Sequence, residues 1–153
     1  GTFRGTLHFA ASDQEIIVVP ILRAGLGLTD AIIQFIPDAK VGHLGMYRDE
    51  ETHEPVDYYS SIPDGIEDAM VLVVDPMLAT GGSANDALTF LKKQGAQHLR
   101  FVSLISAPEG IKRLRELHPD VHIITSGIDE KLNNDAFIVP GLGDAGDRYF
   151  GTI

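Results

Sequence analysis

The apolar run Ala69 to Val74 ends on a carboxylate, Asp75, and Thr80-Gly81-Gly82-Ser83 follows a few residues later. That order constrains the fold more than any other feature of the chain. A run this short and rich in valine is far below membrane-spanning length and reads as a buried strand. Two adjacent glycines let successive backbone N–H groups converge with no side chain in the way, which makes a nest for an anion. A helix opening at Ser83 would aim its unpaired N–H groups and its dipole into that nest, and Asp86 three residues on predicts a capping box. Thr80 and Ser83 add hydroxyls. The segment is neither a Walker A loop, which needs a lysine after its second glycine, nor GxGxxG. Taken alone it is either an ordinary strand-to-helix turn or a phosphate site. Asp75 weighs toward the second, because an acid at a strand end suits the two hydroxyls of a ribose.

The same alternation runs through the chain. Ile16 to Val19 predicts a central strand, and Arg23-Ala24-Gly25-Leu26-Gly27 a glycine-bearing loop after it. Leu28, Ala31, Ile32 and Phe35 then recur at helical spacing until Pro37. Val41 to Tyr47 predicts a second strand, and Asp49 to Pro63 an excursion with a short strand near Tyr58-Tyr59. After Ala69 to Val74 comes a helix with Ala87, Leu88 and Leu91 on its apolar face, ended by Gly95. His98 to Ile105 predicts a fourth strand. Ser106-Ala107-Pro108-Glu109 spells a helix start with Ser as cap, Pro in the first turn and Glu109 in the reciprocal position, and Leu114 and Leu117 give the apolar side. Val121 to Thr125 predicts a fifth strand, and Gly1 to Ala10 reads as a further one. Strands alternating with helices imply one α/β domain over 1–153, a mostly parallel sheet flanked by helices. Ligands in such sheets bind beyond the carboxyl ends of the strands, so the loops after Val19, Val74 and Thr125 are the places to look.

Composition removes other classes. With 153 residues, 44% hydrophobic and 22% charged, the chain suits one folded domain. It has no cysteine, which excludes a disulfide framework and a thiolate nucleophile. A net charge of −10 and the lack of any basic stretch count against nucleic-acid binding. Eight of the acids fall between Asp49 and Asp68, a pattern typical of a solvated loop. His118 and His122 are separated by Pro119, which argues against a shared helical face for a metal.

The strand, acid and TGG loop resemble the phosphoribosyl pyrophosphate (PRPP) motif of type I phosphoribosyltransferases. The full string Asp75-Pro76-Met77-Leu78-Ala79-Thr80-Gly81-Gly82-Ser83 is similar to the version found in uracil phosphoribosyltransferases, where Pro76 replaces the second acid of most type I members. Four further stretches resemble that family in its order: Pro20 to Gly25, Met46 to Thr52, Ala107 to Gly110, and Pro140 to Asp147.

The resemblance implies a phosphoribosyltransferase fold with a flap or hood, and transfer of phosphoribose from PRPP to uracil in pyrimidine salvage. It implies that Arg23 and Arg48 meet pyrophosphate, a task for which a planar guanidinium fork is suited. Asp75 would read the ribose, and Pro76, Met77, Leu78, Ala79, Thr80, Gly81, Gly82 and Ser83 would line the phosphorylated sugar. Ile138, Gly143, Asp144 and Ala145 would hold uracil, largely through backbone groups, with Asp144 also approaching PRPP. Phe137 stands where the family often has Tyr. Mg²⁺ is implied as cofactor, bound mainly through PRPP rather than by protein ligands. A GTP activator in some relatives, a homo-oligomer, and a cytoplasmic enzyme without nucleic-acid or membrane partners are also implied. The family usually carries an N-terminal arm before the position of Gly1, so the chain reads as truncated at its start. The rival readings are a phosphoribosyltransferase-like regulator that binds nucleotide or RNA, and an inactive fragment of the enzyme.

Overall fold

The computed structural model describes residues 14–48 and 55–152. The first elements are β1 (Ile16–Pro20), α1 (Gly25–Phe35), β2 (Lys40–Val41), β3 (His43–Arg48) and β4 (Pro55–Ser61). Then come β5 (Met70–Val74), β6 (Met77–Leu78), α2 (Gly82–Lys93), β7 (His98–Ser106) and α3 (Pro108–Leu117). The last are β8 (His122–Ile128), β9 (Lys131–Leu132), β10 (Ile138–Val139) and α4 (Ala145–Phe150).

Six strands form one parallel sheet in the order β2-β1-β5-β7, with β5 and then β6 along one side of β7 and β8 along the other. Because every pair is parallel, β1, β5, β7 and β8 all deliver their carboxyl ends to one edge. Both faces are covered, as such sheets require. Ile17, Val19, Val71, Val73 and Phe101 point to one side and pack with Ala87, Leu88 and Leu91 of α2 and Leu114 of α3. Val18, Leu72 and Val74 point to the other, against Leu28 and Ile32 of α1. Full burial of each such aliphatic side chain contributes roughly 1.5–3 kcal/mol.

Several expectations are corrected by this packing. The segment Val41 to Tyr47 is not one strand: β2 extends the sheet, whereas β3 leaves it after Gly42 to form an antiparallel hairpin with β4. On α1, Ala31 and Phe35 face outward, and Thr29 beside Gly25 is the buried flank. Phe35 is 87% exposed. Leu117 of α3 is likewise exposed, its place being taken by Ile111. Neither expected side-chain cap forms. Gly81, in the left-handed region at φ 78°, caps α2, so the helix begins before Ser83 and Ser83 is not its cap residue. Ser106 does not cap α3, because its hydroxyl is buried between Ser103 Oγ at 2.9 Å and Thr125 Oγ1 at 3.0 Å. The strand expected over Gly1 to Ala10 and the tip of the acidic excursion lie outside the described residues.

Candidate active site

The loop after β1 carries Arg23, exposed at the carboxyl edge of the sheet. Its position is fixed from below: Ile21 and Leu22 donate backbone N–H groups to Val74 and Leu44 O at 2.9 Å. The Leu22–Arg23 peptide is cis. The Arg23 guanidinium lies 3.5 Å from Asp147 Oδ1 and 5.5 Å from the centre of the Phe150 ring, both on α4. The first loop therefore meets the last helix.

Asp75 follows β5 directly, held by its N–H to Val102 O at 3.1 Å. Its carboxylate keeps part of its surface open to the cleft and is otherwise enclosed by protein. Burial pushes that carboxyl up from its ordinary 3.8 to about 6. The Met77 N–H, 3.4 Å from Oδ1, opposes the rise, and the charge of Asp144 adds to it. Pro76 is buried, and its carbonyl accepts the N–H groups of Leu104 and Ile105.

From β6 the chain turns through Ala79 and Thr80 into Gly81, whose positive φ only glycine adopts without strain. Thr80 Oγ1 accepts the Gly82 N–H at 3.3 Å, and Asn85 N donates to Gly81 O at 2.9 Å as the first intrahelical bond of α2. The N–H groups of Ser83 and Ala84 thus have no backbone acceptor within the helix. Thr80 and Ser83 are exposed at the mouth of this turn, while Gly81 and Gly82 are buried. The local chemistry is that of an anion site beside a carboxylate.

The last loop folds back over these two. β9 and β10 form a hairpin that pairs Ile138 with Leu132. Asn133 Oδ1 closes its turn by accepting the N–H groups of Asp135 and Phe137, each at 2.9 Å. Beyond the cis Val139–Pro140 bond, the Gly141 N–H donates to Asp129 Oδ2 at 2.8 Å, which ties the loop to the end of β8. Asp144 caps α4 by accepting the Asp147 N–H at 2.8 Å. A cleft of about 220 Å³ results, lined by Asp75, Met77 and Ala79 on one side and by Phe137, Ile138 and Gly143 to Gly146 on the other. Ala24 and Ala136 complete the wall.

Of the residues singled out in the sequence, Asp75, Met77, Ala79, Ile138, Gly143, Asp144 and Ala145 line this one cleft. Thr80 to Ser83 continue from its Ala79 wall, and Arg23 stands beside Ala24 at its rim. Arg48 ends β3 opposite Pro55, and its side chain is outside what the structure describes. Three residues were missed. Asp147 holds Arg23, Asp129 holds Gly141, and Asn133 shapes the hairpin turn. Asp147 had a visible signal, since Asp144 three positions earlier is a capping residue for a short helix. Asp129 and Asn133 had none beyond their residue type.

The model of the family described as uracil phosphoribosyltransferase matches residues 4–152. The chain belongs to that family. A uracil phosphoribosyltransferase of Clostridium botulinum (strain Eklund 17B) is 61% identical over 92% of this chain and 68% of its own length. A solved protein from Aquifex aeolicus superposes with a TM-score of 0.82 at 46% identity, covering 90% of this chain and 65% of that one. The chain therefore spans about two thirds of the length of these two proteins. A purine phosphoribosyltransferase of Pyrococcus horikoshii, 20% identical with a TM-score of 0.61, shares the fold. The parallel sheet flanked by helices is thus the type I phosphoribosyltransferase architecture. Among the described residues no helix is long and apolar enough to cross a membrane.

Proposed function

We propose that this chain transfers the phosphoribosyl group of PRPP to uracil, giving UMP and pyrophosphate in pyrimidine salvage. The observation that carries the reading is the single cleft bounded by Asp75 on one side and the Ile138 to Ala145 loop on the other. A ribose-reading acid and a backbone-rich base loop face each other across it. Membership of the family supplies the substrate class.

In this reading the 5-phosphate sits on the Thr80 to Ser83 turn, where converging N–H groups and hydroxyls donate to it. Asp75 accepts from the ribose hydroxyls. Uracil offers two carbonyl acceptors and an N3–H donor, which backbone groups of Ile138, Gly143, Asp144 and Ala145 can read without side chains. Uracil N1 bonds to the ribose C1 as the C1–oxygen bond to pyrophosphate breaks, and the N1 proton passes to solvent. Positive charge develops at C1 while negative charge builds on the leaving group, so Arg23 and Arg48 contribute by holding pyrophosphate.

Among the described residues no three His, Asp or Glu side chains gather into a metal site. Mg²⁺ fits this donor set as an ion carried on the polyphosphate, with Asp75 and Asp144 the carboxylates that line the cleft. Bound there it would neutralise charge on the leaving group. Self-association, GTP activation as in some relatives, and a cytoplasmic site of action belong to the same proposal on the strength of the resemblance.

The test is incubation with PRPP and Mg²⁺ alongside uracil, cytosine or hypoxanthine, with nucleotide products separated by chromatography. UMP from uracil alone is expected. Transfer to hypoxanthine in its place would overturn the base assignment.

A further inference from the structure

Ala107-Pro108-Glu109-Gly110 contributes nothing to the cleft lining, yet it touches both halves of the site. We propose that Glu109 and Gly110 are positioning residues: Gly110 seats the phosphate turn, and Glu109 holds the hairpin that presents the base loop. This rests on the transferase reading above for the identity of the two substrates.

The segment is joined to the phosphate side by backbone. Ala107 N donates to Leu78 O at 2.8 Å. Gly110, buried in the first turn of α3, lies so close to the turn that a Cβ there would stand 2.5 Å from Ala79 O and 3.1 Å from Leu78 O. In return a Cβ on Gly81 would meet Gly110 O at 3.2 Å. These neighbours are main-chain atoms, so a methyl group at position 110 has to move the turn itself.

One residue earlier, Glu109 Oε1 accepts the Leu132 N–H at 3.1 Å. Just past β9 the Asn133 N–H goes to Phe137 O across the hairpin. The Leu132 N–H, one residue earlier, points the other way, toward α3, as strand alternation requires. Leu132 is paired directly with Ile138, whose side of the hairpin lines the cleft. The carboxylate is therefore engaged with β9, while the Ala107 N–H at the helix start goes to Leu78 O. One short segment thus sets the distance between the phosphate turn and the base loop.

The test is a pair of steady-state experiments on the chain with Mg²⁺, varying uracil and PRPP separately. Glu109→Ala is expected to raise KM for uracil roughly fivefold, the loss of one exposed charge-assisted hydrogen bond, with KM for PRPP within twofold. Glu109→Gln, which keeps the reach and an acceptor oxygen, should restore uracil KM. Glu109→Asp, which keeps the charge near the α3 N-terminus but is one methylene shorter, should not. Gly110→Ala should raise KM for PRPP by about tenfold or more. Amide hydrogen exchange, read on the protein without substrates, should show Leu132 exchanging faster in Glu109→Ala and restored in Glu109→Gln.

Restoration by Asp but not by Gln would make Glu109 a helix-dipole residue and overturn the proposal. So would an equal rise of both KM values in Glu109→Ala, or unchanged Leu132 exchange. The Glu109 arm decides even where Gly110→Ala yields no folded protein. Absence of UMP from the parent would sink the transferase reading instead, and Leu132 exchange would then decide the role of Glu109 by itself.

Discussion

Arg23 and Asp147 join the first loop of the site to helix α4, with guanidinium Nη2 3.5 Å from carboxylate Oδ1. The contact is long, and both side chains are well exposed, so it adds little to stability, at most about 1 kcal/mol. Its effect is on aim. Together with the Phe150 ring it parks the guanidinium at the rim of the cleft; in the transferase proposal the polyphosphate displaces Asp147 there.

Arg23→Ala is therefore expected to leave the thermal midpoint nearly unchanged and to lower kcat/KM for PRPP by about 100-fold. Arg23→Lys should recover only a small part, because an ammonium lacks the planar fork. Denaturation curves and initial rates at varied PRPP check both. A large loss of stability with normal kinetics would show that the arginine is structural.

Asp75 has the opposite balance of stability and function. Its folded-state carboxyl titrates near 6, above its ordinary 3.8, so the folded protein binds the proton more tightly than the unfolded chain. Stability from this group is fully present below 3.8 and is lost as pH rises through about 6. The shift corresponds to a cost of about 3 kcal/mol at neutral pH. Asp75→Asn should then be more stable than the parent at pH 7.5 by up to that amount, with the gain vanishing near pH 4, while PRPP binding is weakened. Binding of PRPP by the parent should also weaken below about pH 6, and the difference between parent and Asp75→Asn removes the titration of the ligand itself. Urea melts and calorimetric titration across this range are the measurements.

His118 supplies the reverse pH limb. It is buried at the end of α3, with Nε2 3.0 Å from Asn85 Oδ1 and Nδ1 without a hydrogen-bond partner. Burial lowers its pKa, nearby Lys92 lowers it further, and Asp120 opposes them. Its contribution to stability is present above the ordinary value of 6.5 and falls away as pH drops through the lowered one. His118→Gln should flatten that acid limb. Asn85→Ala, which leaves the imidazole without its partner, should cost about 1–3 kcal/mol at pH 7. Chemical denaturation of both variants at pH 5.5 and 7.5 tests this.

Ala136, in the cleft wall, sits at φ 63°, where a Cβ is strained. Ala136→Gly should stabilise the protein by up to about 1 kcal/mol without altering the fold, as read by thermal melts. A destabilised variant would mean that the methyl group is packed and not merely tolerated.

The sheet was legible because its strands are local runs of β-branched residues, and both cores follow from alternation in Ile16–Pro20 and Met70–Val74. The cleft was legible in part. Asp75 and the glycine turn are contiguous with a strand, and the Ile138 to Ala145 loop was singled out through resemblance, not periodicity. Hidden from the sequence were choices made by tertiary contact. Ser106 looked like a cap but serves a buried hydroxyl cluster, and Glu109 looked like its reciprocal partner but reaches β9. Two-residue strands such as β9 and β10 have no periodicity to read. Likewise Gly42 breaks an otherwise continuous strand pattern because the hairpin must leave the sheet there.

The central claim is that the Asp75 turn and the Ile138 to Ala145 loop bind two parts of one nucleotide. A crystal structure with UMP tests it most directly. The account predicts phosphate on Thr80 to Ser83, ribose hydroxyls on Asp75, and uracil O2, N3 and O4 within hydrogen-bond distance of the backbone between Ile138 and Ala145. UMP bound elsewhere, or in this cleft with its base against the Thr80 to Ser83 turn, would contradict it.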